Sequence, residues 1–496
     1  MAAAKTPLRT EGLIEIFSLV VLIGFVVTGV NLLRDPGVGW HLKTGEWIAF
    51  HSTVPHTDPF LFTAGKNWIC NQWLSDLVLW KVYSWGSFAT LQIFTFVICL
   101  LPYVLLAPRW MRCHNCSAPA TALALLVAMG LGIVQWFTRP VIFSFALFAI
   151  LYKLLMDETG GRRRPVHFVL FPLLFILWAN LHPAFPLGLL LISLAVFHCV
   201  VEEGLLASQT RRLVALLVLS AAATVLNPRG LELHRSISGL VSSTYFMDLN
   251  TEWTSPNFHN PVFYPLIATI IICVAAPLKR PKLSVFETAA FCTFLFLALG
   301  GSRYVPFLGF AAASPLACAL QGLFSLLETK QNFRVTGACL DPASCATLPV
   351  GSVTIAVSAI FLCITFFTGS FPGWSAKRTE IEQKIPAEAV KILDTAPSDS
   401  RIFNNPDWGG YLTWRLWPLQ KPFIDDRNEL NGADRYEDFF AIARLRPAWK
   451  SVLERYNFDY LLLEKKSPAF TMFITLPDWK LLFSDDSMGL FGKAKS

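Results

Sequence analysis

The chain has 496 residues, of which 54% are hydrophobic and only 15% are charged, and its formal net charge is +7. Soluble domains carry roughly a quarter charged residues. The composition therefore excludes an ordinary soluble enzyme, a disordered chain and a protein that binds nucleic acid through its surface. The 41 Phe and 16 Trp residues also favour a chain that lies mostly in lipid.

Apolar runs of roughly 16 to 21 residues recur along the chain, close to the length that crosses a bilayer core. They predict a polytopic α-helical membrane protein with about eleven transmembrane helices. The runs lie near 13–33, 88–108, 118–138, 141–156, 166–180, 186–201, 213–226, 261–277, 284–301, 306–326 and 349–369. We expect residues 1–369 to form this membrane module, with a large first outer loop at 34–87.

Loop charge predicts the orientation of these helices. Lys5 and Arg9 precede the first run, and alternate turns after it carry clusters of Lys and Arg, at 109–112, 162–164, 211–212, 279–282 and 330–334. The remaining turns carry few, single cations. By the positive-inside rule, the N-terminus is inside and residues 370–496 are outside.

Residues 370–496 are polar enough to form a soluble domain. Strand-like runs at 401–404, 410–416, 422–425 and 459–463, with a helical stretch at 433–456, predict a small α/β fold. In the first outer loop, the spacing of apolar residues from Trp73 to Tyr83 predicts an amphipathic helix lying on the membrane.

Two carboxylates in the first outer loop are candidate catalytic groups. Asp35 and Asp58 each precede a proline. A carboxylate beside the membrane can act as general base toward an acceptor hydroxyl, or hold a divalent cation such as Mg²⁺ or Mn²⁺. The alternative is that each caps a helix whose first turn contains the proline.

Single cations and polar groups at the outer ends of the helices are candidates for phosphate binding. Arg139 and Arg303 break the inside bias, and a guanidinium binds phosphate in a bidentate manner. The alternative is an arginine that reaches up to the lipid headgroups. Asn180 and His182 lie at one level and either bind a phosphate, pyrophosphate or sugar hydroxyl, or terminate a helix.

In the tail, Trp408 and Tyr411 flank two glycines in the segment Asp407-Trp408-Gly409-Gly410-Tyr411. Aromatic faces beside glycines suit a sugar or a peptide. The alternative is a tight turn into a strand, with the aromatic side chains in the core.

Together these motifs resemble a group of bacterial multi-pass membrane proteins that look like the C-superfamily (GT-C) glycosyltransferases. The resemblance runs along nearly the whole chain. It rests on Asp35-Pro36 through His41-Leu42, Thr57 to Phe60, Gln72 to Leu74, Arg139-Pro140, Trp178 to His182, Leu226 to Gly230, Glu252-Trp253, Arg303, Asp407 to Tyr411 and Asp425 to Arg427.

The resemblance implies a bacterial cytoplasmic (inner) membrane enzyme that transfers a sugar from a polyprenyl-phosphate-linked donor to an outer acceptor. The acceptor is a protein, a lipid or a polysaccharide. Asp35 and Asp58 would be catalytic, and the donor phosphate would be held by Arg139, Asn180, His182 and Arg303. Residues that bind the acceptor or close the domain would be His41, Glu252, Trp408, Tyr411, Asp425 and Arg427.

The chain departs from these relatives at three places. Gly37 and Gln72 stand where group members often have acids, which weakens a metal site. The tail segment also differs in order from the Trp-Trp-Asp-Tyr-Gly motif with which oligosaccharyltransferases hold acceptor peptide. The loss of these two acids favours a metal-independent mechanism or a lost activity. The rival hypothesis is therefore a non-catalytic membrane protein that binds a lipid-linked glycan or scaffolds envelope assembly. A transporter would need midplane charges or broken helices, and the runs show neither.

Overall fold

The computed structural model describes residues 33, 35–63, 67–114, 116–277, 281–331 and 387–494. Within them the chain forms a bundle of apolar helices followed by a small domain built on one sheet. Each predicted apolar run between 88 and 326 coincides with a helix. The first run, 13–33, and the last, 349–369, lie outside the described residues.

The helices of the bundle and its outer loops are α1 (Val38–His51), α2 (Trp73–His114), α3 (Ala118–Gly132), α4 (Val141–Thr159), α5 (His167–Leu181), α6 (Phe185–Glu203), α7 (Ser208–Ala223), α8 (Leu231–Ser242), α9 (Thr244–Leu249), α10 (Tyr264–Ala275), α11 (Val285–Gly300) and α12 (Val305–Gln331). In the described part of the chain, three stretches are long and apolar enough to cross a membrane: Trp73–Tyr103, Phe185–Glu203 and Ser302–Leu327. Shorter apolar helices accompany them, so the predicted count of eleven spans is not confirmed.

Aromatic rings and small residues hold the bundle together. The ring of Phe148 on α4 lies edge-on to Phe294 of α11 and Phe307 of α12, with centroids 5.0 and 5.2 Å apart. At Gly309 a Cβ would come within 2.7 Å of the Ala128 carbonyl oxygen. Glycine there lets α12 approach α3 closely, as small residues do between membrane helices.

A break in α2 marks the end of the first outer loop. Gly86 and Ser87 have non-helical backbone angles, with Ser87 in the left-handed region at a φ of 59°. The segment before the break contains the helix predicted from Trp73 to Tyr83, which is confirmed as a helix. Its position on the membrane surface stays a prediction.

The C-terminal domain, which we call the outer domain after the side predicted for it, contains α13 (Ala387–Asp394), β1 (Arg401–Phe403), α14 (Pro406–Leu416), β2 (Lys421–Pro422), α15 (Asn428–Ala443), α16 (Trp449–Tyr456), β3 (Tyr460–Glu464), α17 (Pro468–Phe473), β4 (Trp479–Ser484) and β5 (Met488–Lys493). The strand order is β2-β1-β3-β5-β4. Strand β1 runs parallel to β2 and β3, and β5 runs antiparallel to β3 and β4. The predicted small α/β domain is confirmed in outline.

Several details of that prediction were wrong. The segment 410–416 is helix α14 and not a strand, because the Asn405 side chain accepts the backbone N–H of Asp407 (3.0 Å) and Pro406 starts a helical turn. The predicted strand 422–425 shrinks to Lys421–Pro422, and the helical stretch 433–456 divides into α15 and α16. Strands β4 and β5 were not predicted.

Two glycines bring the outer domain against the first outer loop. A Cβ at Gly39 of α1 would come within 2.2 Å of the Gly410 carbonyl oxygen, and a Cβ at Gly410 of α14 within 2.3 Å of the Pro36 carbonyl oxygen. Any larger residue at either position would overlap backbone atoms. The missing side chains therefore allow α14 and α1 to pack at backbone contact, which fixes the outer domain over the end of the bundle.

Candidate functional site

A small polar cavity of about 110 Å³ lies where the outer helix ends meet the first outer loop and the outer domain. This is the space of about three or four water molecules, which is enough for one phosphate-sized group. Its walls come from every part of the chain just described, namely Trp40, His41, Asn71, Gln72, Gln135, Arg139, Val141, His182, Pro183, Leu240, Asn250, Glu252, Trp253, Arg303, Asp426, Arg427, Asn428 and Glu429.

Arg139 bridges two carboxylates at one side of the cavity. Its Nη1 lies 2.6 Å from Glu252 Oε1, and its Nε lies 3.6 Å from Asp35 Oδ2. Burial acts to lower the pKa of Arg139, but Glu252 and Asp35 outweigh it and raise that pKa. Burial acts to raise the pKa of Glu252. The positive charges of Arg139 and Arg303 outweigh burial and lower that pKa below its ordinary value. The ion pair is therefore fully charged.

Arg303 is stacked on an aromatic ring at the cavity wall. It lies in the turn that begins α12, and its guanidinium carbon is 3.8 Å from the centre of the Trp253 ring. Among the residues that the structure describes, Arg303 forms no ion pair. A guanidinium held flat by a ring keeps its edge donors available, and this geometry suits a phosphate oxygen.

His182 follows α5 and lines the cavity with a ring whose tautomer is fixed by its partners. Its Nδ1 accepts the backbone N–H of Ala184 at 3.2 Å and lies 2.9 Å from the Ser144 hydroxyl, which itself accepts from Trp178. The proton of the neutral ring therefore resides on Nε2. Burial, helped by Arg303 and Arg139, lowers the pKa of His182 well below its usual value. The ring is a neutral donor for an anion.

Two carboxylates from distant parts of the sequence face each other across Gly37. A Cβ at Gly37 would lie 2.9 Å from Asp35 Oδ1 and 3.0 Å from Asp426 Oδ2. Asp35 accepts the Gly37 backbone N–H (2.9 Å), and Asp426 accepts the indole N–H of Trp40 (2.7 Å). Burial raises the pKa of both carboxyls, and the charge of Asp35 raises that of Asp426 further. Each of these carboxyls therefore binds its proton more tightly than an exposed carboxyl does.

His41 forms a second buried pair next to this site. Its Nδ1 lies 2.6 Å from Asp76 Oδ1, and both side chains are buried. Burial, with Arg139, Arg427 and His182 nearby, lowers the pKa of His41 well below its usual value. The imidazole is therefore a neutral wall of the cavity whose orientation Asp76 fixes.

Other predicted site residues have structural partners instead of facing the cavity. The carboxylates of Asp58 and Asp425 both bind the buried guanidinium of Arg427, and Asp58 also accepts the backbone N–H of Leu61 at 2.9 Å. Asn180 accepts from Trp73 and donates to two backbone carbonyls. The side chains of Trp408 and Tyr411 are buried in the core.

Asp426 and Glu429, which line the cavity, and Asp76, which pairs with His41, are acids of the site that the sequence prediction missed. Asp426 was adjacent to the predicted Asp425, and consecutive acids after a strand give no indication of which one faces a ligand. A buried acid on an apolar helix, such as Asp76, was a usable signal, because a charged residue there needs a partner. Among the described residues, no group of three or more His, Cys, Asp and Glu side chains is placed to hold a metal ion.

Comparisons with known proteins give the fold. No protein-family model matches the chain, and no curated protein matches it. Among solved structures, the chain is similar to the archaeal oligosaccharyltransferase AglB from Archaeoglobus fulgidus in complex with an inhibitory peptide and a dolichol-phosphate. The TM-score is 0.50 at 11% identity, covering 90% of this chain and 69% of that one.

The apo form of the Archaeoglobus fulgidus oligosaccharyltransferase is similar at a TM-score of 0.51 and 14% identity, with the same coverage. At such identities the similarity concerns the arrangement of the chain alone. It supports the arrangement that the sequence predicted: an apolar helical bundle with a small C-terminal domain.

Proposed function

We propose that the protein is a membrane glycosyltransferase that moves a sugar from a polyprenyl-phosphate-linked donor to an acceptor on the outer face of the membrane. The bundle would lie in a bacterial inner membrane with its N-terminus inside and residues 370–496 outside. The observation that carries the proposal is the phosphate-sized cavity in which Arg303, His182 and the carboxylate of Asp426 converge.

The donor phosphate would lie against Arg303 and the Nε2–H of His182. Arg303 and His182 both line this small cavity, and neither forms an ion pair among the described residues. Their N–H groups would therefore be available to the phosphate. Arg139 would contribute charge from behind, because Glu252 and Asp35 already occupy its guanidinium. Fixed donors of this kind stabilise the negative charge that develops on a departing phosphate.

The Asp35–Asp426 pair would act as the general base. Asp426 lines the cavity, while Asp35 holds the pKa of Asp426 up by like charge. The acceptor's nucleophilic oxygen or nitrogen attacks the anomeric carbon and passes its proton to Asp426. The bond between that carbon and the phosphate oxygen breaks, and the lipid phosphate leaves with the electron pair. A carboxylate with a raised pKa is a stronger base for this transfer.

The test supplies the purified protein with radiolabelled polyprenyl-phosphate sugars and an extract of envelope acceptors. Asp35→Asn, Asp426→Asn and Arg303→Ala are each expected to lower transfer by roughly a hundredfold or more. Asp248→Asn and Arg235→Ala remove the same charges from exposed positions of the outer loop and serve as controls. Undiminished transfer in the Arg303 and Asp426 variants would contradict these roles.

The second candidate is a non-catalytic protein of the same fold that binds a lipid-linked glycan. The observation in its favour is that Arg139 is already neutralised by two carboxylates. It predicts that the polyprenyl-phosphate sugar stays bound and intact with every acceptor tried. Mass spectrometry of the lipid recovered after incubation separates the candidates, because only the glycosyltransferase leaves free polyprenyl phosphate.

A further inference from the structure

The sheet of the outer domain has a switch point between β1 and β3. From β1 the chain moves through α14 to β2 on one side, and then crosses through α15 and α16 to β3 on the other side. The segments that leave the carboxyl ends of β1 and β3 therefore diverge and open a crevice. In open α/β sheets, ligands bind in the crevice at such a point.

A cavity of about 340 Å³ lies at this point. Its wall on one side is Asn405, two residues after β1, and on the other side Glu464 and the segment Lys466 to Pro468 at the end of β3. Phe440 of α15 and Arg444, which follows the end of α15, close a third side. Topology and cavity are separate observations, and they agree on one position. The volume is that of a small-molecule site and suits one or two sugar rings.

The charged groups at the rim favour an anion. Arg444 lies with its guanidinium carbon 4.2 Å from the centre of the Phe440 ring, and Lys466 lines the same cavity from the β3 side. In the described part of the chain neither cation forms an ion pair. The one acid of the rim, Glu464, accepts the side-chain amide of Asn405 at 2.5 Å. Beneath the rim, Phe403 and Leu462 give an apolar floor.

We infer that this crevice binds an anionic sugar, carrying a phosphate or a carboxylate, that belongs to the glycan acceptor. The anion would lie between Arg444 and Lys466, and the sugar ring over the apolar floor. The identification of this sugar as the acceptor rests on the proposed function, whereas the binding of an anionic sugar does not. The loop after β2, which carries Asp426, leaves the same sheet edge as the crevice.

Binding is measured on the full chain in detergent, without any lipid donor, by calorimetry or saturation-transfer NMR. The probes are glucose 6-phosphate, glucuronic acid, neutral glucose and inorganic phosphate. We expect the two anionic sugars to bind and glucose and phosphate to bind at least roughly tenfold more weakly. Arg444→Gln and Lys466→Gln should each weaken binding roughly tenfold. Lys450→Gln removes an exposed charge from the same domain and should change nothing.

Arg444→Gln and Lys466→Gln both change exposed side chains, so we expect each variant to unfold at the same temperature as the unmodified protein. This measurement checks that each variant is folded. Equal binding of glucose and glucose 6-phosphate, or unchanged binding in both variants, would overturn the inference. Binding of phosphate as tight as that of the sugars would reduce the site to an anion patch and also overturn it. Anionic-sugar binding without any sugar transfer would leave the crevice standing and remove the proposed function instead.

Discussion

Replacing Asp426 by Asn should stabilise the protein at alkaline pH and, on the proposed function, lower sugar transfer by roughly a hundredfold or more. The carboxylates of Asp426 and Asp35 both come within about 3 Å of the position that a Cβ on Gly37 would take. These two oxygens therefore lie no more than about 6 Å apart, and two full charges at that separation repel by roughly 3 kcal/mol at an effective dielectric constant of 20. Arg139 offsets part of this repulsion, so we expect Asp426→Asn to gain about 1–3 kcal/mol at a pH where both carboxyls are ionised.

The sign of the pH dependence follows from the raised pKa values of both carboxyls. Because the folded protein binds more protons than the unfolded chain, its stability falls as the pH rises from the unfolded pKa toward the folded one. Each unit by which the folded pKa is raised costs about 1.4 kcal/mol above that range. The advantage of Asp426→Asn should therefore be greatest near pH 8 and fade toward about pH 4.

The measurement is thermal unfolding in detergent across this pH range, for the unmodified protein, Asp426→Asn and Asp248→Asn. Asp248 is an exposed acid of the outer loop, so its variant should follow the unmodified protein at every pH. A variant at position 426 that is less stable than the unmodified protein near pH 8 would refute the repulsion argument. So would an advantage that grows as the pH falls.

Two further predictions concern the contact between the outer domain and the first outer loop. Arg427→Met leaves two buried carboxylates without their cation and should lower the free energy of unfolding by about 3–5 kcal/mol. We expect a lower unfolding temperature and faster proteolysis of the outer domain, and an unchanged unfolding temperature would contradict this prediction. Gly410→Ala places a methyl group 2.3 Å from the Pro36 carbonyl oxygen and should cost about 1–3 kcal/mol. Gly239→Ala, in open space on α8, should instead stabilise by about 0.5–1 kcal/mol, and equal effects of the two glycine variants would contradict the packing argument.

The parts of the fold that could be predicted are those in which one physical signal dominates. The apolar runs located the helices because burial of long hydrophobic segments leaves few alternatives. The lone arginines located one side of the site because a cation at an outer helix end has few structural uses. Arg303 and His182 were named from the sequence, and both line the cavity.

The rest depends on contacts between distant segments, which a single sequence does not encode locally. The Gly409-Gly410 pair indicated a strand or turn, yet its small size serves helix packing against Pro36 and Ile424. Strand β5 contains two glycines, Gly489 and Gly492, that weaken its strand signal. The choice between Asp425 and Asp426 depends on which one turns toward Arg427, and only the folded chain decides that.

The loop after β2 couples the docking of the outer domain to the chemistry of the site. Asp425 and Arg427 point into the buried ion-pair cluster, and the residue between them, Asp426, points into the cavity. The carboxylate pair with Asp35 can therefore form only while Arg427 is locked onto the first outer loop. On the proposed function, an outer domain that swung away to release its acceptor would carry Asp426 with it. The bound donor would then lack its base, and its hydrolysis by water would slow.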